Sequence, residues 1–270
     1  TNSSKRYAQE LCVGHILAEK ALMTEISGAE SVNVSSPKFL KKIHQLFYSQ
    51  LPQEHLYTHE PTGFTNIPVN PGAFRDLEVA VHNDGGTHGP AAPEIPAMME
   101  RFSKHYDPDQ YHGDERLIAM ATAHHRLTWL HPFRDGNGRI CRLHSGLFMA
   151  VSKINTGNLW SLSRGLSRNK AEYMVNLFSV DPGPDDSRED ANERLADYCR
   201  FFLEVCLDQV QFMTSQLRLE KIESRIEWYV EHTRRTANKL PKESARLLRA
   251  LFMEGQIPRG KAPTILNVKD

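Results

Sequence analysis

Cysteine is scarce in this chain: four residues of 270, Cys12, Cys141, Cys199 and Cys206, with no two in C-x-x-C spacing. That argues against a disulfide scaffold, a cysteine-built zinc module and a dithiol redox motif, and it fits reduced thiols in a cytoplasmic protein. Long apolar runs are missing too. The longest, such as Leu147 to Val151, are a handful of residues, and no basic-then-apolar leader opens the chain. Neither a membrane span nor a signal peptide is therefore expected. Net charge is absent, 33 Lys and Arg balancing 33 Asp and Glu, so no global field draws the protein to nucleic acid. A local excess over residues 215–270, twelve basic against seven acidic, reads as a solvated helix face. Internal repeats and low-complexity tracts are lacking. Thr1 in place of Met is the start expected of a cut-back chain.

Helical periodicity dominates what is there. Tyr7 to Met23 and Pro37 to Tyr48 carry apolar residues at three-to-four spacing, and Ser36 before Pro37 has the look of an N-cap followed by proline at the first helical position. Further helices are expected over Ile95–His105, from Asp114 through Leu130, after Gly138, over Trp160–Phe178 and over Leu195–Leu219. The C-terminal stretch predicts a helix, a turn at Gly255 and a second short helix. Between Leu51 and Pro96 prolines and glycines break the pattern, and Leu77, Val79 and Val81 alternate with polar residues. That alternation predicts a strand entering a turn, half of a hairpin.

The stretch "HPFRDGNGRICR", residues 131–142, concentrates chemistry. Gly136 and Gly138 permit backbone conformations in which consecutive N–H groups turn inward as an anion nest, and the helix that follows adds its positive end. Arg139 and Arg142, three apart on that helix, reach one side and can clamp a polyphosphate. Asp135 offers the hard oxygen that a phosphate-bound Mg²⁺ takes beside phosphate oxygens and water. A neutral His131 could accept a proton from an attacking hydroxyl. Together these groups describe a phosphoryl or nucleotidyl transfer site. Phe133 reads as a core wedge and Pro132 as a conformational lock. A zinc cluster of His124, His125, His144 and His131 is disfavoured, because adjacent His124 and His125 cannot share a helix face.

His131-x-Phe133-x-Asp135-Gly136-Asn137-Gly138-Arg139-x-x-Arg142 resembles, without a gap, the signature of the Fic family, whose members typically move AMP from ATP to a protein hydroxyl. The likeness runs from Leu11 to about Leu219. "PGAFRDLEVAV" is similar to the approach to the family's hairpin flap, "SLSRGLSRNKAEYMVNL" to its nucleotide-side helix, and "LLRALFMEGQIPRGKAPTIL" to the start of an appended winged helix. The resemblance implies a mainly α-helical domain with a β-hairpin flap, plus a C-terminal, winged-helix-like helical segment that is cut short. It places an N-terminal helical segment at 1–36, the core at 37–219 and the C-terminal segment at 220–270. His131 would be the base, Asp135 the Mg²⁺ ligand, Asn137 and Arg139 the holders of the α- and β-phosphates, and Arg142 the partner of the γ-phosphate. Tyr173 would lie beside the base. Leu77, Val79, Ala80, Val81 and His82 would form the flap that docks the target. Gly138 favours nucleotide transfer, since kinase-like relatives vary the loop there.

Many relatives also carry an inhibitory helix, [S/T]-x-x-x-E-[G/N], whose glutamate pairs with the second motif arginine. Here "ALMTEISGAES" offers two frames: from Thr24 the glutamate slot holds Gly28, and on Ile26-Ser27-Gly28 it holds Ser27. Neither keeps the glutamate, so a derepressed enzyme is expected, unless Glu25 or Glu30 reaches Arg142. The partners implied are ATP and a protein with an exposed hydroxyl, with a homodimer left open, no membrane, and no DNA binding from a module that stops short. Another triphosphate or a CDP-alcohol as donor, and a catalytically silent DNA-binding or regulatory protein, stay as alternatives.

Overall fold

The structure, a computed structural model, describes residues 2–28, 31–59, 66–79, 89–155, 158–181, 187–237, 240–254 and 257–267. They are mainly α-helical and form two compact units, residues 1–209 and 210–270. In the first unit come α1 (Asn2–Ser27), α2 (Pro37–Ser49), the strands β1 (Tyr57–His59) and β2 (Asn66–Pro68), α3 (Ile95–His105), α4 (Glu115–Leu130), α5 (Asn137–Val151), α6 (Leu162–Arg168) and α7 (Lys170–Ser179). The unit boundary falls within α8 (Arg188–Gln216).

Local chemistry accounts for several of these elements. Ser36 caps α2, its Oγ accepting the Phe39 N–H at 3.2 Å, and Pro37 fills the first turn where no N–H partner is needed. Phe39, Leu40, Ile43, Phe47 and Tyr48 then recur on one face, all buried. The expected single helix over Trp160–Phe178 is two, broken at Asn169, whose φ of −108° and ψ of 35° leave the helical region. Gly165 in α6 lets that helix close on α8, since a Cβ there would stand 2.6 Å from Val205.

The central element is α5, packed against α1, α2, α4 and α6, and its residues Ile140, Leu143, Leu147 and Phe148 are at most 1% exposed. The hairpin is not where alternation predicted it. β1 and β2 pair antiparallel, Thr58 opposite Ile67, whereas residues 76–79 are bends and loop. The remainder of that expected strand, Ala80, Val81 and His82, lies outside the described residues, as does Gly255.

The second unit contains α9 (Leu219–Ala237), α10 (Ser244–Glu254) and α11 (Ala262–Leu266). Its α9 and α10 are linked by Arg249, which lies 3.2 Å from Glu223 and 3.6 Å from Glu227. Among the described residues no helix is long and apolar enough to cross a membrane.

Candidate active site

Residues 131–136 turn the chain from α4 into α5, and hydrogen bonds from outside hold the turn. His131 adopts a left-handed backbone, φ 46° and ψ 56°, with its N–H closing α4 onto the Leu127 carbonyl at 3.2 Å. A non-glycine residue there is strained and must be held from outside. The holder is Arg75, 3% exposed, whose Nε donates to the His131 carbonyl at 2.8 Å while its backbone N–H donates to Pro132 O at 2.8 Å. The same guanidinium bonds Leu77 O at 3.3 Å and Pro90 O, so it ties the chain at both of these positions to the loop.

The His131 ring sits with Nδ1 3.3 Å from the Thr128 carbonyl. A carbonyl only accepts, so Nδ1 carries the proton and Nε2 keeps its lone pair. Burial pulls the ring's pKa down to about 4, so the imidazole is neutral at pH 7 and available as a base.

Phe133, fully buried, is stacked under His44 with ring centroids 4.1 Å apart. His44 accepts the Gly72 N–H at Nδ1, 2.9 Å, which leaves Nε2–H to face the Asp135 carbonyl at 3.3 Å. Asn137 is 2% exposed, and both ends of its carboxamide are used on Phe133: Oδ1 accepts the N–H at 2.9 Å and Nδ2 donates to the carbonyl at 2.7 Å. Its side chain closes the loop, which leaves its backbone N–H as the group able to meet a phosphate. At Gly136 φ is +81° and a Cβ would meet the Tyr48 ring at 3.0 Å, so glycine is required twice over. Gly138 is helical and needs no such freedom; a Cβ there would sit 3.5 Å from Arg142 Nη1, so its absence keeps space open beside that guanidinium. The N–H groups of Asn137 and Gly138, in the first turn of α5, have no intrahelical acceptor.

Asp135 accepts the Tyr48 hydroxyl at 2.8 Å through Oδ2, and Arg139 Nη2 approaches Oδ1 and Oδ2 at 3.2 and 3.0 Å. Next to this pair lies a cleft of about 420 Å³, with Leu11 and His15 of α1 on one wall, Arg139 and Arg142 on α5, and Lys170 and Tyr173 of α7 opposite. Among the described residues no Asp or Glu lines it. Burial disfavours the charge on Arg142, and no described carboxylate lies within ion-pair distance of it. A largely buried guanidinium without a carboxylate partner among the described residues is a strong anion seat. The His15 ring is held neutral, its pKa lowered to about 4 by burial and then by Arg142 and Arg139.

Tyr173 shares the cleft with Arg142, but its hydroxyl is bonded to His124 Nε2 at 2.8 Å, and His124 Nδ1 in turn meets Ser145 Oγ at 2.8 Å. The inhibitory slot is displaced along α1. Thr24 and Ser27 bond back to Lys20 O and Met23 O, Gly28 is exposed, and none of them lines the cleft, which α1 reaches through residues 8–15. Glu25 pairs with Lys42; Glu30 lies outside the described residues. Among the described residues, the group of His, Cys, Asp or Glu whose ligand atoms lie within 4.8 Å of one another is Glu10, Glu54 and His55.

Reading residue types alone missed Arg75, His44 and Tyr48. Each reaches the loop from a stretch 56 to 91 residues earlier in the chain, and no local pattern marks such a contact.

Residues 34–149, which take in this turn and the helices on either side of it, match the Fic/DOC family. The chain carries a Fic domain over those residues. Over 77 residues it is 36% identical to protein adenylyltransferase Fic of Drosophila grimshawi, a match that takes in 28% of this chain and 15% of the relative. Over 91 residues it is 38% identical to protein adenylyltransferase fic-1 of Caenorhabditis briggsae, covering 32% and 16%. The chain thus matches only about a sixth of the length of these relatives. A crystal structure of a Fic family protein from Desulfovibrio desulfuricans G20 aligns with 95% of this chain and 63% of its own, at a TM-score of 0.56 and 17% identity, a likeness of fold.

Proposed function

We propose that this protein transfers AMP from ATP to a Ser, Thr or Tyr hydroxyl of a protein, itself included. The observation that carries the reading is Arg142, which with Arg139 lines a cleft that holds no Asp or Glu among the described residues, on the helix that the loop bearing the neutral His131 leads into. Nε2 of His131 takes the proton of the target hydroxyl as its oxygen bonds to the α-phosphorus; the bond from that phosphorus to the α–β bridging oxygen breaks, and pyrophosphate leaves. The N–H groups of Asn137 and Gly138 face the charge that develops, and Arg139 and Arg142 hold the departing phosphates.

Asp135 suits Mg²⁺. It is a single hard carboxylate at a phosphate cradle, 34% exposed, with Oδ1 carrying only the longer Arg139 contact. When bound there the ion would neutralise charge on the phosphate oxygens.

The test is self-labelling with a panel of triphosphates and a CDP-alcohol, each labelled in the group the enzyme would transfer. Incorporation from ATP supports the reading; incorporation from another donor with none from ATP would replace it.

A further inference from the structure

Arg139 has two claims on its charge. The motif assigns it to phosphate, yet its Nη2 is spent on both oxygens of Asp135 and its Nε is buried without a partner. The two opposite charges cancel toward an incoming anion, so among the described residues Arg142 and Lys170 remain as uncompensated cations of the cleft. The carboxylate is held in place independently of the arginine. Tyr48, 2% exposed and edge-on to Phe47 at 5.1 Å, donates to Oδ2, and its ring abuts Gly136. Oδ1 is the less engaged oxygen.

We propose that Asp135 and Arg139 form an exchangeable latch: a divalent cation taking the Asp135 carboxylate releases Arg139 to a polyphosphate, and Tyr48 is the positioning residue that keeps the carboxylate oriented for the exchange. The inference rests on reading the cleft as the site of a metal-bound nucleotide. It makes metal and polyphosphate binding cooperative through the protein, beyond their attraction for each other in solution, because each favours the same opened pair. The pair is partly solvated, 20% and 34% exposed, so opening it should change polyphosphate affinity by up to about fivefold.

Calorimetric titration of the full chain with ATP and with inorganic tripolyphosphate, in EDTA and in Mg²⁺, tests this. In EDTA, Asp135→Asn should bind both ligands up to about fivefold more tightly than wild type. Removing a negative charge would by itself favour an anion, so the same change is made in an Arg139→Ala background, where the latch predicts that the gain disappears. A gain of equal size in both backgrounds, or none in either, would overturn the latch. Tyr48→Phe should raise the Mg²⁺ concentration for half-maximal ATP binding about tenfold, while binding of tripolyphosphate in EDTA stays no weaker than in wild type; an unmoved Mg²⁺ dependence would remove Tyr48 from the role. Wild type that binds Mg·ATP but fails these comparisons refutes the latch alone, whereas wild type that binds no Mg·ATP refutes the nucleotide reading and the latch with it.

Discussion

Replacing Asn137 with alanine should destabilise the domain as well as silence it. The carboxamide makes two hydrogen bonds, 2.9 and 2.7 Å, to the backbone of Phe133, and both residues are buried, at 2% and 0% exposure. Alanine leaves the Phe133 N–H and carbonyl without partners in the interior, at about 1–3 kcal/mol each, or about 2–6 kcal/mol together. For a unit the size of residues 1–209, each kcal/mol lowers Tm by about 2–4 °C. The expected fall is thus roughly 5–20 °C, read by circular dichroism melting, with transfer lost at temperatures where the variant is still folded. A phosphate-holding Asn137 predicts the opposite pattern: Tm within about 1 °C of wild type and a raised KM for ATP. That pattern would refute the structural assignment.

Gly136→Ala should behave similarly on a smaller scale, since a left-handed alanine costs about 1–2 kcal/mol and its Cβ would push Tyr48 away from Asp135. Acid should erode stability through histidines buried in the neutral form. His44 and His144 have pKa values lowered by burial to about 4 and about 3, below the unfolded value near 6.5, so their stabilisation is present above that value and is lost as pH falls toward the folded pKa. At pH 5 each costs about 2 kcal/mol, which urea titrations at pH 7 and pH 5 will show, and His44→Gln should flatten the difference. The rate per folded molecule should hold down to about pH 5, because His131 gains its proton only as pH falls through about 4; an acid limb near 6.5 would contradict its burial. For control, Gly28→Glu should leave self-labelling unchanged, whereas His15→Glu, placed on the cleft wall with Arg142, should depress it about ten- to a hundredfold through a partly desolvated ion pair.

What could be read from the chain was local in origin. The α2 cap at Ser36, the bounds of α3, and the loop-to-helix turn at residues 131–142 follow from residues within a few positions of one another. The remainder depends on distance or phase. The apolar pattern runs unbroken across Asn169, so one helix was expected where packing at Gly165 and the Asn169 backbone make two. The hairpin at 57–68 uses strands of three residues, too short for alternation to register. The inhibitory slot was placed by motif at the end of α1, but which turn of a long helix crosses the cleft is decided by its packing on α2 and α5. Phe133 was legible as a wedge; that it is clamped by His44 and Asn137 was not.

The most direct test of the central claim compares ATP labelled at the α-phosphate with ATP labelled at the γ-phosphate, using wild type and His131→Ala. Nucleotidyl transfer with His131 as base predicts stable protein labelling from the α-label only, reduced about 10²- to 10⁴-fold in the variant, whose affinity for Mg·ATP stays near wild type. Labelling from the γ-phosphate, or α-labelling undiminished by His131→Ala, would contradict the account.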